Sequence, residues 1–386
     1  MKKRITSQNT NLYAVEEKKM IVMNLEIDNF FAFRNFQMNM SYPKKIVNSY
    51  IQGEFLKERT NFRYKKVNIL LGANATGKTS IGKMLMAILN FIDKKELFHI
   101  LNKIDDSNKV ATFSIDFVTN KYILYRLDVK VLPEDGDDRV IFASVRKVDI
   151  NKNDNYETCL ERLLQIPIKY EENYIDELTK IEKLGWMFTY PEDSSNGKVK
   201  CLDNADYPLI LNYTLKALDP TIKEVEKIKD VENSYVIRME KRDLIIQDGE
   251  VIKNNILSSG TKAGIDIARL ISAIRCGEYG FFYCDEKFSY VHSDMEKAFL
   301  SVMINSLKDN EQFFFTTHNT DILDMPFPKH TFTFLRKDSF NLEKPIDCLN
   351  PAKYLKRNTD SLRNAVENDL FSCAPNLEYI YEIENI

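Results

Sequence analysis

Residues 67–85 read VNILLGANATGKTSIGKML, and this stretch decides the fold. An apolar run from Val67 to Leu71, broken only by Asn68, meets a glycine turn, and a helix is expected from about Lys78. The turn, Gly72 to Thr79, fits G-x-x-x-x-G-K-[ST] in the strand–loop–helix setting that this motif needs. Its glycines, Gly72 and Gly77, let the backbone wrap a β-phosphate. The N–H groups along Asn74, Ala75, Thr76, Gly77, Lys78, Thr79 and Ser80 form an inward-facing nest at a helix N-terminus. Lys78 can reach β and γ oxygens, and the Thr79 hydroxyl can ligate Mg²⁺. The expected cofactors are therefore ATP and Mg²⁺.

Three further stretches belong with this loop. FFYCDE (281–286) is an apolar strand ending in two carboxylates. Beside a phosphate loop, Asp285 is placed to orient Mg²⁺, and Glu286, one residue beyond, is placed to poise a water as general base. FFFTTH (313–318) is another apolar strand, ending in His318, which can hydrogen-bond a γ-phosphate from the ligand edge of a sheet. ILSSGTKAGIDIARL (256–270) places Ser258, Ser259 and Gly260 at the head of an amphipathic helix, a second phosphate cup in a chain that already has one.

The totals narrow the class. With 386 residues, 44% hydrophobic and 11% aromatic, the chain can build a substantial core. A net charge of −3 gives no basic body, so any nucleic-acid contact needs a local patch. The six cysteines (159, 201, 276, 284, 348, 373) include no C-x-x-C pair, which suits a reducing cytosol. No apolar run reaches the roughly 18–20 residues of a membrane span, and the polar N-terminus has no apolar signal core. These features predict a cytoplasmic location without membrane contact.

Working outward, five segments are expected. A tail (1–19) precedes an N-terminal lobe (20–150), where MIVMNLEIDNFFAF (20–33) alternates like a half-buried strand and 110–132 and 139–149 read as strands. The acidic turn PEDGDD between them lacks calcium-loop spacing and reads as a solvated hairpin. Residues 151–232 are charged and read as a helical insertion, including NYIDELTKIEKLGWMF and DPTIKEVEKIKDVE. A C-terminal lobe (233–340) returns to strands, with a tight turn at Asp248-Gly249 and buried parallel runs around 281, 313 and 332. An extension (341–386) follows.

The order of phosphate loop, Leu257–Gly260 signature, Asp285-Glu286 and His318 resembles an ATP-binding cassette (ABC) ATPase. The implied fold is an α/β P-loop NTPase head, a mixed sheet with an N-terminal antiparallel β lobe and a helical insertion. LEIDNFFAFRNF (25–36), Asn74 in a G-x-N pattern and the long insertion point to the SMC/RecF-like branch rather than to transporters. Within it, ERTNFRYKKVNILLGANATGKTSIGKML, LSSGTKAG, FTTHNTDILD and LKRNTDSLRNAVENDLFSCAPN resemble the compact anti-phage defence ATPases of the PARIS and Septu type.

The resemblance implies head-to-tail dimers or higher oligomers, with Ser258, Ser259 and Gly260 of one copy closing over ATP held by another. It also implies a separate nuclease or toxin-like effector and a phage-encoded trigger. No nuclease domain is visible, since only about 70 residues follow His318. LSSGT lacks the second glycine and the glutamine of the transporter signature. Gln165 is the candidate Q-loop glutamine, and His292 or Asp294 the candidate D-loop residue. The alternative function is a DNA-repair or chromosome-associated ATPase that binds DNA directly. Residues 329–357 favour it with seven Lys/Arg against three Asp/Glu, although a solvated basic face gives the same count. A scaffold with a structural nucleotide is the third reading, and the Asp285-Glu286 pair speaks against it.

Overall fold

The computed structural model describes residues 19–45, 49–133, 139–191, 205–229, 231, 233–247, 250–252, 258–277, 279–338, 340–357, 360–372 and 378–383. The 1–18 part of the expected tail, most of the PEDGDD turn, the Asp248-Gly249 turn and Leu257 of the signature lie outside them.

The molecule is built on a six-stranded sheet. Its order is Ile346–Leu349, Phe332–Lys337, Val67–Leu71, Gln312–Thr316, Phe281–Asp285, Trp186–Thr189. Neighbours run parallel except at the edge strand Ile346–Leu349. The three apolar runs expected as buried parallel strands take these places, and Phe281–Asp285 and Gln312–Thr316 are buried at every residue. Both faces are covered, which is why their sequences do not alternate. The phosphate-loop helix Lys78–Lys94 packs on one face against Leu70, Tyr283 and Phe314. On the other face, the signature helix Ser259–Cys276 packs against Ile69, Cys284 and Phe315.

A second sheet is antiparallel and forms the expected β lobe, in the order Phe36–Asn39, Met20–Asp28, Ala111–Thr119, Ile123–Val131, Ile141–Asp149. Its strand Met20–Asp28 corrects the half-buried expectation for 20–33. The strand stops at Asp28 and buries residues on both faces. Met20, Val22, Leu25 and Ile27 join the phosphate-loop helix, while Ile21 and Met23 pack under Phe62, Tyr156 and Leu163 on the opposite side. A bulge between Val22 and Asn24 shifts the phase midway. Gln312, fully buried, ties this lobe to the core sheet. Its Nε2 donates to Val22 O and Lys65 O, both at 3.0 Å, and its Oε1 accepts from Val22 N at 2.9 Å.

The segment 151–232 is not helical throughout, contrary to the sequence expectation. It holds the helices Tyr156–Leu164, Tyr174–Thr179 and Tyr207–Leu218, but also two strands. Trp186–Thr189, which contains the lone tryptophan, is an edge strand of the core sheet beside Phe281–Asp285. Ile222–Lys227 pairs with Ser234–Met239 in a four-stranded antiparallel sheet completed by Asp243–Gln247 and Glu250–Ile252. Its apolar residues sit three apart, a spacing one short strand can share with a helix turn, and pairing with a neighbour settled the choice. The helix Tyr207–Leu218 joins this sheet in covering the signature helix through Leu211 and Leu215. The signature helix is therefore buried nearly all round, not amphipathic as its sequence suggested.

Candidate nucleotide-binding site

The phosphate loop leaves the strand Val67–Leu71 at Gly72 and turns into the helix at Gly77, which caps it with a φ of 98°. That left-handed backbone and the ring of Phe33, 3.0 Å from where a Cβ would stand, exclude any side chain at Gly77. Thr76 Oγ1 donates to Ala73 O at 2.9 Å and braces the loop. Lys78 is buried, and its Nζ donates to Gly72 O at 2.9 Å and Ala73 O at 3.1 Å. The lysine thus lies folded over the concavity that it frames.

Asp285 ends its strand next to Thr316 on the neighbouring one, and Thr316 Oγ1 donates to Asp285 Oδ1 at 2.6 Å. Asp285 Oδ2 is buried without a hydrogen-bond partner. Burial pushes the Asp285 carboxyl above its ordinary range, and the Thr316 and Thr79 side chains pull it back. An orphaned carboxylate oxygen with the Thr79 hydroxyl beside it is a hard oxygen donor set that fits Mg²⁺, whose remaining ligands are typically phosphates and water. Among the described residues no cluster of three His, Cys, Asp or Glu could hold a metal by itself.

Glu286 leaves the strand with a φ of 43°, an uncommon conformation for a non-glycine residue. Its backbone N–H is held by Thr316, donating to Oγ1 at 3.0 Å. The carboxylate faces the side chains of His318 and Lys78. Glu286 Oε1 lies 2.8 Å from His318 Nε2 and 3.6 Å from Lys78 Nζ. Lys78, Glu286 and His318, expected from three separate motifs, therefore meet at one point. A general base, a phosphate-binding cation and a γ-phosphate donor are what in-line attack by water needs.

Several contributors were not anticipated from sequence. Tyr283 Oη donates to Lys78 O at 2.8 Å, pinning the helix start to the strand that carries Asp285. Beyond His318, Thr317 Oγ1 and Asn319 Nδ2 both donate to the buried Glu296, at 2.7 Å each, and fix the loop that carries the histidine. Lys287, also buried, pairs with Asp266 of the signature helix and donates to Tyr190 O at 3.0 Å. Thr316 was the most legible contributor, since it ends the QFFFT strand next to the Asp285 strand.

Ser258 caps the signature helix, its Oγ accepting from Thr261 N at 3.1 Å, and Ser258 and Ser259 are exposed. Ser259 shares a pocket of about 140 Å³ with Glu286, Lys287 and Tyr290, and no phosphate-loop residue lines it among those described. That volume is below the few hundred Å³ of a nucleotide pocket. His292 caps the helix Ser293–Ser306 with Nδ1, and both it and Asp294 are 76% exposed beside this surface. Gln165 does not join the site. It is exposed at the end of Tyr156–Leu164, which packs with Ile21 and Met23 on the sheet face away from the phosphate-loop helix.

No protein-family model and no curated protein matches the chain. Solved structures do. An Smc head bound to the C-terminal winged-helix domain of ScpA is 14% identical, covers 86% of this chain and 99% of its own, with a TM-score of 0.51. An Smc head with an extended coiled coil, bound to the C-terminal domain of ScpA derived from Pyrococcus furiosus, is 12% identical with a TM-score of 0.52, covering 87% and 98%. The recombination mediator RecF also matches, at 12% identity and a TM-score of 0.42 over 86% and 99%. The chain has the fold of these Smc heads, a mixed α/β core with an antiparallel lobe. No described helix is long and apolar enough to cross a membrane.

Proposed function

We propose that the chain binds ATP with Mg²⁺, hydrolyses it, and assembles head-to-tail with further copies around the nucleotide. The observation that carries this reading is the meeting of Lys78, Glu286 and His318 beside the orphaned Asp285 Oδ2. In it, the nest at Gly72 to Ser80 seats the phosphates, and ATP draws Lys78 off the Gly72 and Ala73 carbonyls. Thr79 and Asp285 would hold Mg²⁺, which would supply charge neutralisation for the phosphates. Glu286 takes the proton of the attacking water, and His318 donates to the γ-phosphate. Ser258, Ser259 and the Gly260 N–H, exposed or half-exposed, serve the nucleotide of a neighbouring copy.

The finer role is control of a separate nuclease effector in bacterial anti-phage defence, released or activated by a phage trigger. The defence-ATPase resemblance of LSSGTKAG, FTTHNTDILD and the 355–376 segment supports it. The ScpA domain bound to the Smc heads supports docking of a separate protein on a head of this fold. Expression of the native operon with a tag on this chain tests the role. A neighbouring-gene nuclease should copurify, and its DNA cleavage should change when ATP is added. A chain that retains no such product, and whose ATPase is instead stimulated by duplex DNA, would replace this role with direct DNA repair.

A further inference from the structure

A second pocket, of about 740 Å³, lies where the edge strand Phe36–Asn39 of the lobe meets the edge strand Ile346–Leu349 of the core sheet. This volume is in the range of small-molecule sites. Five lysines line it against two carboxylates. Asp347 is already paired with Lys344 at 2.8 Å, and Glu157 accepts from Ser41 at 2.9 Å. The rim keeps Lys44, Lys353 and Lys356, which have no carboxylate within 4.0 Å among the described residues.

Lys65 is the decisive residue. It lines the pocket and is only 2% exposed, and its Nζ makes one hydrogen bond among the described residues, to Thr333 Oγ1 at 3.1 Å. An ammonium has three donors, and among the described residues no carboxylate stands within ion-pair reach of this one. Thr333 passes its own hydrogen to Asn68 Oδ1 at 2.6 Å, and the buried Asn68 Nδ2 has no acceptor either. A buried cation without a counter-charge is strongly unfavourable. An anionic ligand in the pocket would supply the missing partner. Tyr42 gives the pocket a fixed wall, because its ring stacks at 4.2 Å on His330, which is held at 2.6 Å by Glu54.

We propose that this pocket is a second ligand site, distinct from the phosphate loop, for a small polyanion of the phosphate-ester class. Lys65 is its buried counter-cation, and Lys353 and Lys356 bind at the rim. The basic excess at 329–357 noted in the sequence is then in part the mouth of a pocket. A concave site with its key cation at the bottom suits a small molecule, whereas a duplex backbone needs an open basic surface. The site is at the far end of the strand that carries the phosphate loop, since Lys65 precedes Val67 and Gly72 follows Leu71.

Pyridoxal 5′-phosphate is a direct probe, because it joins a phosphate to an aldehyde that condenses with an uncharged lysine amine and loses water. Burial lowers Lys65 to about 8, so at pH 8 its amine should be trapped by borohydride roughly tenfold faster than the exposed Lys57. Peptide mapping separates this adduct from one at Lys78. Inorganic pyrophosphate should protect Lys65, and Lys353→Ala with Lys356→Ala, both exposed, should weaken that protection several-fold while leaving the fold intact. Lys65→Met should remove the adduct. The proposal is overturned if labelling follows exposure alone, if pyrophosphate gives no protection at Lys65, or if the rim variants protect as well as the parent chain. Protection by duplex DNA at lower concentration than pyrophosphate would equally overturn it, in favour of a nucleic-acid surface.

Discussion

Glu286 shows how much of the candidate chemistry rests on one backbone angle. Its left-handed φ costs on the order of 1–3 kcal/mol, and it turns the carboxylate from the strand axis toward His318 and Lys78. Glu286→Gln keeps the size and removes the basicity. ATP binding by equilibrium titration should survive, and phosphate release should fall by roughly 10²–10⁴-fold. Unchanged turnover would remove Glu286 from the base role. Lys65 makes a second test at this scale. Burial lowers it from 10.5 to about 8, so between those values the unfolded chain keeps a proton that the folded chain has lost, and stability climbs with pH. Below pH 8 both states hold the proton and the whole penalty is present. Lys65→Met should raise unfolding stability at pH 7 by as much as about 3 kcal/mol and abolish the climb. A variant that still gains stability above pH 8 would assign the climb to another group. The residue types of the site were legible because strand ends and a glycine loop announce themselves. The approach of Glu286 to Lys78 was not, because 208 positions of chain separate them.

At the scale of elements, the site depends on how closely the phosphate-loop helix lies on its sheet. Gly82 faces Tyr283 so tightly that a Cβ would come within 2.5 Å of the ring, and that ring is fully buried with its hydroxyl bonded to Lys78 O. In an isolated helix Gly82→Ala would gain about 1 kcal/mol. Here the overpacking should win, destabilising by about 1–3 kcal/mol and weakening ATP binding as the helix start shifts. A urea midpoint that rises with undiminished ATP affinity would contradict the close packing. The Lys287–Asp266 pair works at the same scale, joining the residue after Glu286 to the signature helix across a buried contact. The parallel strands were readable because burial on both faces leaves unbroken apolar runs. Ile222–Lys227 and Trp186–Thr189 were not, since a short strand has too few residues to display a period and is chosen by its partner.

For the molecule as a whole, the open question raised by the sequence was the second phosphate cup. A Cβ at Gly260 meets only Tyr290 O at 3.4 Å and Ser258 Oγ at 3.9 Å, which are ordinary contacts, so a side chain there is tolerated by the chain itself. Gly260→Val should therefore fold and bind ATP, yet lose ATP-driven association in sedimentation and with it turnover. A variant that associates and hydrolyses normally would refute the shared site. By itself the sequence determined the glycine loop at Gly72–Thr79, the strand ends that carry Asp285-Glu286 and His318, and the α/β class, because each depends on local spacing and on burial patterns along one strand or helix. Only the tertiary structure decided that the lobe is tied to the core through Gln312 and that the insertion lends a strand to the main sheet. It also decided that Lys65 lies buried without a counter-charge. Those outcomes follow from pairing and burial between distant segments, which no local pattern encodes.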